Sequence, residues 1–310
     1  MIRLFVIIIT LFLASCNSNN ILTEVKKLTH YPSASGIENF NNKLYIIGDD
    51  ANQMLITDSS LNNIDSIPIY FTAEKRIPKA VKADLESITL VADNEETKLL
   101  LLGSGSLSPY RNTGWLVNPV NKHTANIQLD TFYQRLKAHG LDEINIEGAC
   151  SITGSIILSN RGNKNYPKNF LVITKREFWK NQSEAPVTLI SIGFNTDTAV
   201  FNGISGIAYV EKTDQLILTV STEDTRNSMD DGAIGKSYLW IVNDFSTKND
   251  WKSINPDKII DLSKKDKRFK GQKIESVCIV SNSEDEFHLV LAADNDNGSS
   301  TLFRMVLQKN

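Results

Sequence analysis

The sequence predicts an all-β fold, a five-bladed β-propeller, on three observations. Short apolar runs alternate with polar turns along nearly the whole chain, a short opening motif recurs five times, and a strand missing at the C-terminus has a spare counterpart near the N-terminus. The runs are rich in Ile, Leu, Val and Tyr and are bounded by Asn, Asp, Gly and Ser, the pattern of strands and their turns. The motif reads Ser35-Gly36-Ile37, Glu86-Ser87-Ile88, Glu147-Gly148-Ala149, Ser205-Gly206-Ile207 and Glu275-Ser276-Val277, at intervals of 51, 61, 58 and 70 residues. Repeats of that period, each with room for four strands, mark propeller blades. Six blades is the alternative, if the 70-residue interval conceals an irregular one. A β-sandwich would leave the repeated opening unexplained.

Each unit is expected to run through the same elements. After the opening comes a more apolar second strand: residues 44–47, 99–102, 156–158, 216–220 and 289–293. A third strand follows at 53–57, 114–117, 170–173, 237–242 and 300–306. A weaker fourth closes four units at 64–69, 124–129, 187–192 and 258–262. The fifth unit has no fourth strand, and residues 21–28 are predicted to supply it from the other end of the chain, leaving no open edge. One amphipathic stretch, 130–139, predicts a helix inserted between blades and capped by Gly140.

The N-terminus predicts export. A basic start at Arg3 precedes an apolar run from Leu4 to Leu13, too short to span a bilayer. Leu13-Ala14-Ser15-Cys16 then resembles a bacterial lipobox, which implies lipidation of Cys16; the alternative is an ordinary secretory leader with an incidental Cys. The expected layout is a leader over 1–15, lipidated Cys16 and a polar tether over 16–20, and a propeller domain over 21–310. Such a protein would sit on the cell envelope outside the cytoplasm, held to the membrane by its lipid. Hydrophobic residues at 41% allow a full core, and a net charge of −3 excludes the basic field of a nucleic-acid binder. Cys150 and Cys278 hold equivalent positions in non-neighbouring units and are read as buried thiols. Four scattered His have no zinc spacing.

Chemistry concentrates in two places. Glu86, Glu147 and Glu275 occupy one repeat position, which should bring them together around the channel. Like charges so close need compensation. A Ca²⁺ ion would supply it, as would pairing with Lys82, Arg111, Arg161, Lys236 or Lys273; alternatively each Glu binds backbone of the next blade and acts as structural glue. The loops after the second strands form the second concentration. There Asp50, Arg111, Asn160, Arg161, Glu223, Asp224, Lys236 and Lys273 are the candidate ligand-binding residues, able to seat a small polar or anionic ligand directly or through a metal. Arg161 is the sharpest of these, because turn formation does not ask for Arg. Trp115 and Trp240 read as blade packing, Trp179 and Trp251 as the more exposed pair.

On the openings Glu86-Ser87, Glu147-Gly148, Ser205-Gly206-Ile207-Ala208-Tyr209 and Glu275-Ser276, the chain resembles the phytase-like or esterase-like β-propellers of exported bacterial proteins. The resemblance spans most of residues 21–310 and implies a propeller with Ca²⁺ and a basic phosphate pocket. The Asp-Asp-Pro-Ala type signature of those phytases has a counterpart in Asp49-Asp50-Ala51, which lacks the Pro. The nearer kinship is with uncharacterised lipoproteins of this architecture, which implies a fold and no reaction. Three functions remain open on this reading: binding of a small ligand, metal-assisted phosphoester or ester hydrolysis, and a scaffold in an envelope complex.

Overall fold

The computed structural model describes residues 21–193, 201–223, 226–227, 234–248 and 252–309. Cys16, the leader, the tether, Asp224 and Trp251 lie outside them. Five small antiparallel sheets form a ring, each with its first strand at the axis, so the chain is a five-bladed β-propeller and the 70-residue interval holds no sixth blade. Blade I comprises β2 (Ala34–Phe40), β3 (Lys43–Gly48), β4 (Gln53–Thr57) and β5 (Asn63–Pro68). Blade II comprises β6 (Leu85–Asp93), β7 (Glu96–Gly103), β8 (Thr113–Val117) and β9 (Thr124–Gln128). Blade III comprises β10 (Ile146–Ile152), β11 (Ser155–Asn160), β12 (Asn169–Lys175) and β13 (Thr188–Ile192). Blade IV comprises β14 (Asn202–Val210), β15 (Gln215–Glu223), β16 (Ile234–Val242) and β18 (Lys258–Asp261). The intervening β17 (Ser253–Ile254) leaves its own blade and pairs parallel with β13, an extension that the repeat did not foretell. Blade V comprises β19 (Lys273–Asn282), β20 (Glu286–Asp294) and β21 (Ser300–Gln308), and β1 (Ile21–Leu28) pairs antiparallel with β21. The N-terminal strand therefore closes the ring as expected.

Burial explains the strand types. The second strand of each blade is sandwiched between both neighbouring blades, so both its faces must be apolar. In β7, Leu99 and Leu101 face the core shared with blade I, while Leu100 and Leu102 face the core shared with blade III. Five such cores fill the five junctions of the ring. The helix α1 (Asp130–Ala138) buries Phe132, Tyr133 and Leu136 between blades II and III. It ends in a Schellman motif, with Gly140 at φ +106° and the amides of Gly140 and Leu141 donating to the carbonyls of Lys137 and Leu136. Trp179, expected to be exposed, instead packs edge-on to Phe178 in this core and is 7% exposed. Cys150 and Cys278 are buried free thiols with blade IV between their blades, as expected.

The opening motif has a structural cause. In all five inner strands the ladder with the second strand slips by one residue, and the extra residues are Ser35, Glu86, Glu147, Ser205 and Glu275. A β-bulge re-aims the side chain of its unpaired residue. The motif's next residue is small because blades meet there. A Cβ on Gly206 would lie 2.7 Å from the carbonyl oxygen of Glu275, and one on Gly148 would lie 3.0 Å from the Cα of Gly206.

Candidate functional site

The bulges sit at one end of the channel and surround its mouth, a pocket of about 80 Å³. Three repeated positions build most of its wall. The first is the bulged residue itself. The second lies two residues earlier and is Ser33, Asp84, Asn145 and Lys273 in four of the blades. The third stands opposite, at or just past the end of the second strand: Asp49, Arg161 and Asp294. Seven carboxylates and five basic side chains line this space.

The serine and glutamate bulges behave differently. Ser35 Oγ donates to the Leu85 carbonyl at 2.5 Å and Ser205 Oγ to the Ile274 carbonyl at 2.6 Å, tying each to the strand of the next blade. The structural-glue role thus belongs to the serines. The three glutamates reach into the mouth, and their environments diverge.

Glu147 and Glu275 share the guanidinium of Arg161, whose Nη1 stands 3.8 Å and 3.9 Å from their Oε2 atoms. Its Nη2 donates to Glu223 Oε2 at 3.0 Å and to Ser221 Oγ at 3.1 Å. Lys273 Nζ completes the cluster, 3.0 Å from Glu223 and 3.1 Å from Glu275. Asn145 Nδ2 donates to the remaining oxygen of Glu147 at 2.6 Å. Gly203 provides the seat for Arg161, because a Cβ there would lie 2.4 Å from its Nε. Burial still outweighs the Arg161 charge at Glu147 and pushes its carboxyl up to about 8.

A second cluster forms on the other side. Lys82 Nζ bonds Asp49 Oδ2 and stands 2.8 Å from Asp84 Oδ1. Arg111, 2% exposed, donates from Nη1 to Asp84 Oδ2 at 2.6 Å and to Ser106 Oγ at 2.7 Å. Carboxylate oxygens of Asp49, Asp84 and Glu86 come within 4.8 Å of one another. Burial raises Asp49 to about 6 against the opposing pull of Lys82. Glu86 differs from every other acid here, since no hydrogen bond or ion pair holds it among the described residues. Desolvation, then the charges of Glu147, Asp84, Asp49 and Glu275, push its carboxyl well above the usual range.

The predicted residues divide accordingly. Arg111, Arg161, Glu223 and Lys273 line the mouth, together with Glu86, Glu147 and Glu275. Of the three glutamates, Glu147 and Glu275 are paired with Arg161 and Lys273, whereas Glu86 is not. Asp50 pairs with Arg76 at 2.6 Å and lines a pocket that adjoins the mouth and shares Asp49, Lys82 and Lys273 with it. Asn160 is buried and braces the adjoining loop, accepting from the Asn145 amide at 2.8 Å and donating to the Glu143 carbonyl at 3.2 Å. Lys236 belongs to the third strand of its blade, well out from the axis; its side chain is 57% exposed and lies 3.6 Å from Asp261. Asp84 escaped the sequence reading. Its signal was position, two residues before a repeated Glu, where the other blades place Ser33, Asn145 and Lys273.

The chain belongs to a family of unknown function, DUF6929, which it matches over residues 30–307. No curated protein matches it. Among solved structures it is similar to glutaminyl cyclase of Myxococcus xanthus, at 7% identity over 94% of this chain and 97% of that one, with a TM-score of 0.54. It also matches virginiamycin B lyase of Staphylococcus aureus (11% identity, 91% and 99% coverage, TM-score 0.44) and the WD40 β-propeller domain of Doa1 (11%, 92% and 97%, TM-score 0.41). At these identities the likeness is one of fold.

Proposed function

We propose that this member of DUF6929 is a lipid-anchored, extracytoplasmic propeller that binds a small polar ligand at the channel mouth through a cation seated on Glu86 and Asp49. The observation that carries this is the unmatched Glu86 in a pocket where carboxylates outnumber bases. Lys82, Arg111, Arg161 and Lys273 are each held by carboxylates already, so an anionic ligand gains more from a bound cation than from these bases. Asp49 Oδ1 is buried without a hydrogen-bond partner and stands beside Glu86 in the acidic cluster. Oxygen donors of this kind suit Ca²⁺, with water and the ligand completing its shell. The same matching of bases weighs against a phytase-like reaction, which needs cationic groups free for phosphate.

Thermal melts of the full-length protein in detergent, with Ca²⁺ and with EGTA, test the proposal. Ca²⁺ at a hundredfold excess over its Kd adds about 2.7 kcal/mol, a rise of several degrees in Tm for a chain of this size. Glu86→Gln should abolish that rise, and in EGTA should melt no lower than the parent because it removes an uncompensated charge. Superimposable parent melts with and without Ca²⁺ would refute the cation site.

A further inference from the structure

Below the mouth, the space between the inner strands continues as a second cavity of about 250 Å³. All five inner strands line it, and its walls mix the edges of apolar side chains, Ile37, Ile88, Leu90, Ile207 and Val277 among them, with polar groups of Thr89, Ser151, Tyr209 and Ser276. Among the described residues two charged side chains face it, Glu38 and Glu86, and no Lys, Arg or His does. Glu86 lines both the mouth and this channel, so it marks the throat between them. Glu38 stands further down. Its Oε1 accepts from the Asn39 amide at 2.8 Å and its Oε2 from the Leu90 amide at 3.3 Å. Neither carboxyl has a basic partner among the described residues.

The spacing of the two is set by the strands. Leu90 lies four residues beyond Glu86 on β6, and a strand rises about 3.3 Å per residue. The Glu38 carboxyl is therefore roughly 13 Å along the strand from the Glu86 backbone, less the length taken up by the bulge and the side chains. That distance is too great for one metal ion to bridge. It suits an elongated ligand with a positive charge at each end and an apolar middle. Burial raises the Glu38 carboxyl to about 7, against the pull of the two amides it accepts from, a cost that a cation would relieve.

We propose that the channel binds a linear aliphatic diamine, its methylenes against Ile37, Ile88, Leu90, Ile207 and Val277 and its ammonium groups on Glu86 and Glu38. A monoamine would leave one carboxyl unmatched, and a diol would leave both. The site shares Glu86 with the proposed cation site but depends on Glu38, which that site does not use. The two readings can therefore fail separately.

Calorimetric titration of the full-length protein in detergent and EGTA tests this with putrescine, cadaverine, hexamethylenediamine and octamethylenediamine, against hexylamine and hexanediol. Diamines should bind with an optimum in chain length, hexylamine about tenfold or more weakly, and hexanediol not at all. Glu38→Gln should reduce the best diamine to the level of the monoamine while leaving the Ca²⁺-induced rise in Tm intact. Asp49→Asn should do the reverse. Ala208→Phe, which narrows the channel without touching either carboxyl, should also abolish diamine binding. The proposal is overturned if no diamine binds, if hexylamine binds as well as the diamines, or if the folded Glu38→Gln protein retains full diamine affinity.

Discussion

Replacing Arg161 by methionine removes the one cation that, among the described residues, lies within ion-pair distance of Glu147, Glu223 and Glu275 together. Arg161 is 6% exposed, so the charges it pairs with are largely shielded from bulk water. Breaking a buried ion cluster from one side costs about 3–5 kcal/mol, because the remaining charges stay buried and uncompensated. At roughly 2 °C per kcal/mol for a chain of this length, Tm should fall by about 6–10 °C at pH 8. The loss should depend on pH in a definite direction. Burial already raises Glu147 to about 8 and raises Glu275, and removal of Arg161 raises both further. A carboxyl whose folded pKa is raised destabilises the fold increasingly as pH climbs from its unfolded value toward its folded one. The Tm deficit should therefore shrink at about pH 5.5, where these groups take up protons and lose their charge. Gly203→Ala should reproduce part of the effect, since its Cβ would displace the guanidinium. Lys236→Met, which disturbs a half-exposed pair, should be nearly silent. Calorimetric scans at the two pH values measure all three. An Arg161→Met deficit under about 2 °C at pH 8, or one that does not change with pH, would refute the view that Arg161 holds three blades together.

Two further outcomes follow from the packing. Gly206→Ala places a Cβ 2.7 Å from a carbonyl oxygen and 2.9 Å from the Cα of Ser276 in the next blade, so it should cost about 2–3 kcal/mol by urea denaturation. Gly154→Ala, with nothing within 4 Å and only its φ of +78° to strain, should cost about 1 kcal/mol; equal losses would refute the close approach of blades at the bulge. Cys150 and Cys278 are 6% and 2% exposed, and burial pushes both thiols upward, so Ellman's reagent should modify neither before unfolding. Peptide mass mapping after timed exposure checks this, and rapid modification of either in the native protein would contradict the burial.

By itself the sequence determined nearly all the strands, their grouping into repeated four-stranded units and the closure of the ring; the structure decided that the 70-residue interval holds no sixth blade. The former are local or periodic properties. Leu99 to Leu102 must be a strand buried on both faces wherever its neighbours lie, and Ile21–Leu28 is the one strand left to complete the last blade. The repeat also pointed to Ser35, Glu86, Glu147, Ser205 and Glu275 as one structural position. That the position is a β-bulge was decided by the pairing of β2, β6, β10, β14 and β19 with their second strands. Tertiary structure also decided what each repeated glutamate does. The three are equivalent in the repeat, but the bases are not distributed with its symmetry. Arg161 and Lys273 converge on Glu147 and Glu275 from blades III and V, Lys82 and Arg111 are drawn to Asp49 and Asp84, and Glu86 is left with neither. Charges act through distances across blades, and those distances exist only once the ring has closed. For the same reason Lys236, close to the candidate loops in the chain, lies on the outer part of its blade beside Asp261, while Asp84 stands at the mouth.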